Sequence, residues 1–113
     1  MDEDKINKIA MQMVMFAGDA RDLIRKSLDL AEDNRFEEAA EMLEKAKTEL
    51  ANGHHVQTEI LQKECEGEKQ GYSVLFAHGM DSLMTVKSEY QITEKLTEIL
   101  KKINDRMSKL EEI

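Results

Sequence analysis

Not one of the 113 residues is proline. A chain without that helix breaker can carry long uninterrupted helices. This one places apolar residues every three or four positions through three long runs, which is the period of an amphipathic helix. The first run goes from about Asp4 to Asp33, with Ile6, Ile9, Met13, Phe16, Ala17, Ala20, Leu23, Ile24, Ser27, Leu28 and Ala31 in its stripe. Asp33, Asn34 and Arg35 make a short turn, where Asn34 is expected to cap a second helix over about 36–65. That helix carries Phe36, Ala39, Ala40, Leu43, Ala46, Leu50, His54, Gln57 and Leu61 at helical spacing. Gly67 and Gly71 bracket a polar loop, and Ser73 is placed to cap a third helix over about 73–111. Short connections make successive helices antiparallel. The expected fold is therefore all-α, an up-down three-helix bundle in one domain spanning residues 1–113.

Two details carry consequences for packing. Gly18 interrupts the first helix between Ala17 and Ala20, and its low helix propensity is expected to be repaid by close approach of a neighbouring helix. The third helix holds a heptad-like run, Ile92, Leu96, Ile99, Ile103 and Leu110. Such a run either closes the core of one chain or forms a coiled-coil seam between chains, and periodicity does not choose between them.

Sixteen basic residues against 24 acidic ones leave a net charge of −8. Such a chain repels nucleic acid phosphates and anionic membrane surfaces, and attracts basic partners. The single cysteine, Cys65, permits no internal disulfide and fits a reducing compartment. It sits in the run Lys63-Glu64-Cys65-Glu66-Gly67-Glu68, whose carboxylates make it a poor nucleophile. No segment is long or apolar enough to span a membrane and the N-terminus lacks a signal-peptide core, so the cytoplasm is the expected location.

The chemistry concentrates at His78-Gly79-Met80-Asp81-Ser82-Leu83-Met84-Thr85. On a helix His78, Asp81, Ser82 and Thr85 share a face, and that face falls where an apolar stripe is expected to pass. Polar groups on such a stripe cost stability unless paired. An imidazole can accept and release a phosphoryl group near neutral pH. Gly79 removes a side chain that would obstruct a docking protein, and Asp81 is within reach to orient the imidazole. By spacing alone, a His-x-x-Asp pair on a helix is more often a satisfied structural histidine than a functional one. Of the adjacent pair His54 and His55, only one can face the core, and alignment with Leu50 and Leu61 selects His54. With no His-x-x-x-His pair, a zinc site is not expected. If third helices meet on a threefold axis, three copies of Asp81 converge and form an oxygen-only site suited to Mg²⁺ or Ca²⁺. Met11, Met13 and Met15 alternate and cannot share one helical face.

The stretch Ser73–Thr85 resembles the active-site helix of the lactose/cellobiose-specific enzyme IIA component of the bacterial phosphoenolpyruvate-dependent sugar phosphotransferase system. Phe16-Ala17-Gly18-Asp19-Ala20-Arg21 is similar to that family's first-helix signature, and His54-His55-Val56-Gln57-Thr58 matches its His-x-x-Gln-Thr segment. The three blocks stand in the family's order and spacing over nearly the whole chain.

The resemblance implies a homotrimer of three-helix subunits, nine helices in all. It implies that His78 becomes a transient phosphohistidine, charged by the histidine-containing phosphocarrier protein and discharged onto a cysteine of the cognate enzyme IIB. The pathway served would be uptake of a disaccharide of the cellobiose, chitobiose or lactose class. Asp81 would bind a divalent cation, Mg²⁺, at the trimer axis, and Gln57 would help hold the phosphoryl group. The family commonly has a second histidine after the aspartate, whereas this chain has Ser82, which can donate a hydrogen bond but carries no charge. The competing reading is a non-catalytic trimeric helical regulator whose His78 is never phosphorylated.

Overall fold

The computed structural model describes residues 2–71 and 73–112. Three helices account for it: α1 over Glu3–Glu32, α2 over Phe36–Cys65 and α3 over Val74–Glu111. They form an antiparallel up-down bundle 67 Å long and about 20 Å across, 21 by 18 Å in section. None of the described helices is long and apolar enough to cross a membrane.

The core explains the narrow section. Ala10, Ala17, Ala20, Ala31, Ala39 and Ala46 are all buried, and such small residues let helices approach closely. Met13, Ile24, Leu43, Leu83 and Val86 fill the space between them. Met13 is fully buried, while Met11 and Met15 are exposed, as their alternation requires.

Glycine permits the closest approaches, although not where the sequence placed them. Gly18 has no atom within 4 Å of a notional Cβ and is exposed. The close contacts are at Gly53 of α2 and Gly79 of α3. A Cβ on Gly53 would lie 2.5 Å from Leu83 Cδ2, and one on Gly79 would lie 3.2 Å from Met13 Cβ. Gly79 thus serves the α1–α3 contact. Its missing side chain is an inward feature and clears no room for a docking protein.

The C-terminal ends of α1 and α2 are closed by backbone geometry. Asn34 does not cap α2. It adopts a left-handed φ of 63° beyond the end of α1, where its N–H donates to the Ala31 carbonyl and that of Arg35 donates to the Leu30 carbonyl. This is a Schellman ending, and asparagine tolerates the left-handed region that it demands. Arg35 occupies the cap position of α2 and makes no capping side-chain bond. Gly67 ends α2 in the same way, with a φ of 93° and the Glu68 N–H donating to the Lys63 carbonyl.

α1 and α3 run parallel, held at three heights. Ser73 meets Asn7, Gly79 meets Ala10 and Met13, and Glu89 meets Arg21. From about Lys101 onward α3 therefore projects past the end of α1 and the start of α2. Among the described residues beyond Lys101 only Asn104 is even half-buried.

The heptad-like run does not close the core of the chain. Val74, Ile92 and Leu110 are each about two-thirds exposed, at 67%, 67% and 68%, and Leu96, Ile99 and Ile103 are exposed with them. The inward face of α3 is built from Gly79, Leu83, Val86 and Thr93 instead.

Candidate functional site

The first turns of α3 are tied down firmly. Ser73 has extended backbone, and its Oγ accepts a 3.0 Å hydrogen bond from the Phe76 N–H. The same hydroxyl donates to Asn7 Oδ1 on α1 at 2.6 Å. Capping satisfies one of the unpaired amides at the helix start, and the link to Asn7 fixes the start against α1.

His78 follows one turn later and is exposed, as is Asp81. Ser82 is half-buried, and its hydroxyl donates to the His78 backbone carbonyl at 2.8 Å. The polar cluster therefore does not interrupt the core stripe. It lies on the outer face of α3, because Gly79, Leu83 and Val86 already supply the inward stripe. Among the described residues neither the His78 imidazole nor the Asp81 carboxylate has a hydrogen-bond or ion-pair partner. Asp81 consequently does not orient the imidazole within one chain. A free ring on a rigid, capped helix can still present a lone pair to an incoming phosphorus.

His54 is not a core residue. It is exposed and borders an open cavity of about 450 Å³ between α2 and α3. Leu50, Leu83 and Met84 form the apolar part of the lining, Gln57, Tyr90 and Gln91 the hydrogen-bonding part, and Lys47 and Lys87 the charged part. No carboxylate lines it. His55 points to solvent, with Nε2 at 3.4 Å from Glu59 Oε1 across one turn.

The structure thus groups His78, Asp81 and Ser82 on one helix and holds Gln57 apart. Gln57 lines the α2–α3 cavity, and none of the other three does. No group of three or more histidine, cysteine, aspartate or glutamate side chains among the described residues could hold a metal ion. One chain supplies the single carboxylate of Asp81 to the outer face.

Two features escaped the reading of the sequence. Arg21 donates Nε and Nη2 to both oxygens of Glu89 at 3.0 and 2.9 Å, pinning α1 to α3. Nothing local links residues so far apart in the chain; only the presence of Arg21 in a signature block hinted at a role. Tyr90, at the lower end of the cavity, donates to Glu94 Oε2 at 3.1 Å. Burial, with the Glu94 bond and charge adding to it, pushes its hydroxyl up to about 12.

Comparison with known proteins gives a consistent result. Residues 8–101 match the family model described as PTS system, Lactose/Cellobiose specific IIA subunit. The lactose-specific EIIA component of the PTS system from Staphylococcus epidermidis is 35% identical over 102 residues, covering 90% of this chain and 98% of that protein. The PTS cellobiose-specific enzyme IIA from Bacillus anthracis superposes with a TM-score of 0.83 at 33% identity, over 87% of this chain and 90% of that one. The fold also matches a chain from the IIA(chitobiose)–HPr complex of the Escherichia coli phosphotransferase system. There the TM-score is 0.77 at 24% identity, over 88% of this chain and 96% of that one.

Proposed function

Because this chain belongs to the lactose/cellobiose-specific IIA subunit family of PTS systems, we propose that it carries a phosphoryl group on His78 between two protein partners. The donor is the histidine-containing phosphocarrier protein, and the acceptor is a cysteine of the cognate enzyme IIB. The relative solved in complex with HPr supports the donor. The observation that carries the reading is the exposed, unpartnered imidazole of His78 on a helix that is capped and fixed at its start.

In the first transfer an imidazole nitrogen of His78 gives its lone pair to phosphorus. The donor imidazole takes back the electron pair of the phosphorus–nitrogen bond that breaks. In the second, the enzyme IIB thiolate forms a phosphorus–sulfur bond while His78 regains its lone pair. Such transfers depend mainly on positioning and on stabilising charge. The α3 cap and the Gly79 contact with α1 provide the positioning. Ser82 contributes local polarity, although its hydroxyl is already given to a backbone carbonyl.

The chain acts as a cytoplasmic homotrimer of nine helices, assembled along the exposed stripe of α3. Leu96, Ile103 and Leu110 fall at the a positions of its heptads and Ile92 and Ile99 at the d positions. That choice of residues favours more than two parallel strands. Asp81 lies on the continuation of this stripe, so three copies converge and present only oxygen donors. Mg²⁺ or another divalent cation fits that donor set and would neutralise the carboxylates. The sugar is a disaccharide of the cellobiose, chitobiose or lactose class, which enzyme IIA itself does not contact.

Incubation with phosphoenolpyruvate and the general phosphotransferase proteins tests the central step. The expected result is a mass gain of one phosphoryl group, acid-labile and base-stable, absent from His78→Ala. A wild-type chain that gains no such phosphate would instead be the non-catalytic regulator.

A further inference from the structure

We propose that His54 completes the phosphohistidine site across a subunit boundary, its imidazole facing His78 of the neighbouring chain and hydrogen-bonding the phosphoryl group there. The inference rests on the reading of His78 as the phosphoryl carrier in a trimer and adds a residue to that site.

His78 lacks a cationic neighbour on its own helix. A phosphoryl group adds negative charge and strong acceptor oxygens. Asp81, on the same face, is itself an anion, and the Ser82 hydroxyl is committed to the His78 carbonyl. Along α3 the next cation after His78 is Lys87, which turns toward the α2–α3 cavity instead. One chain therefore offers no positively charged group on α3 beside the phosphoryl position.

The flanks of α3 show where a partner would come from. Asp81, Thr85 and Ile92 form its outward ridge, which Ile99, Ile103 and Leu110 continue. At 100° per residue, His78, Ser82 and Glu89 lie on one flank of that ridge, the side where Glu89 grips Arg21 of α1. Met84, Lys87 and Gln91 lie on the other flank, lining the cavity with α2. In a closed rotational assembly of parallel chains about this ridge, the interface is heterologous. The α1-side flank of each chain meets the α2-side flank of the next. His78 of one chain then faces the mouth of its neighbour's α2–α3 cavity.

Height along the axis narrows the polar lining to Gln57 and His54. Gly53 of α2 meets Leu83 of α3, and the two helices run in opposite directions. Gln57 is therefore level with Gly79, and His54 with Ser82. Both lie within about one turn, ~5.4 Å, of the height of His78. Lys47 and Lys87 lie roughly two to three turns lower. His54 is exposed and lines this cavity, where no carboxylate competes for it.

Mixed trimers decide the matter. Chains carrying His54→Ala and chains carrying His78→Ala are co-expressed with different tags, and trimers containing both are isolated. His54→Ala homotrimers should be phosphorylated on the order of 10²-fold more slowly than wild type, the usual cost of removing one donor to developing charge. Every mixed trimer places at least one intact His78 beside an intact His54 of another chain. Rapid phosphorylation should return on the His54→Ala chain, to a wild-type rate at that boundary. His54→Arg homotrimers, which keep a hydrogen-bond donor at this position, should retain more activity than His54→Ala. Mixed trimers as slow as His54→Ala homotrimers, or His54→Ala homotrimers as fast as wild type, would overturn the inference while leaving His78 as the carrier. Failure of the wild-type chain to be phosphorylated would overturn both.

Discussion

Gly79→Ala and Gly18→Ala should move stability in opposite directions, although both replace a glycine in the interior of a helix. By propensity alone each substitution gains about 1 kcal/mol. At Gly18 nothing lies within 4 Å of the new methyl, so the gain is kept. At Gly79 the methyl would lie 3.2 Å from Met13 Cβ, 3.3 Å from the Ala10 carbonyl oxygen and 3.3 Å from Met13 Cε. The flexible Met13 terminus can move aside, but Met13 Cβ and the Ala10 carbonyl move only with the α1 backbone. Overpacking of this kind costs typically 1–3 kcal/mol. The net expectation is a loss of up to about 2 kcal/mol for Gly79→Ala and a gain of about 0.5–1 kcal/mol for Gly18→Ala. Urea unfolding followed by circular dichroism measures both, at one chain concentration so that any subunit association contributes equally to the two variants. If Gly79→Ala were as stable as Gly18→Ala, the claim that Gly79 sets the α1–α3 distance would fail.

A double-mutant cycle on Arg21→Ala and Glu89→Ala should give a coupling of about 0.5–1 kcal/mol, near the upper end for exposed pairs because the contact is bidentate while both side chains remain roughly 40% exposed; a coupling of zero would remove the clamp from the account. In a Tyr72→Phe background, ultraviolet titration should find the Tyr90 phenol neutral until about pH 12. Since its pKa in the folded chain exceeds the usual value of 10.0, its contribution to stability is complete below that value and is lost as pH rises towards 12; ionisation near pH 10 would contradict the packing described. Asp81→Leu should abolish any dependence of trimer dissociation on added Mg²⁺ and leave the assembly at least as stable, because apolar packing often outdoes buried charge; sedimentation with and without chelator measures this, and an unaltered Mg²⁺ response would remove Asp81 as the ligand.

Most of the architecture was legible because helices are local. Absent proline, apolar spacing and the Ser73 cap depend on neighbours within a few residues, and the three helices fall within about a residue of their expected ranges. Errors arose where a choice depended on distant partners. Asn34 carries the chemistry of a helix cap, but it served the end of α1 because the chain reverses there and needs a left-handed residue. Gly18 and Gly79 are indistinguishable by propensity, and only the packing shows which one meets another helix. His54 sits at core spacing yet borders a cavity, since Ala46, Gly53 and Ile60 already supply the inward face of α2.

Local pattern was enough for three long helices, their order and the resemblance that singles out His78. Periodicity identifies apolar stripes but does not say what covers them, because burial is a relation between segments far apart in the chain. α3 carries two stripes. Only the tertiary structure assigned Gly79, Leu83 and Val86 to the chain's own core and left Ile92 through Leu110 exposed with Asp81. It also placed Gln57 on the α2–α3 cavity and His78 on the outer face of α3, apart from each other.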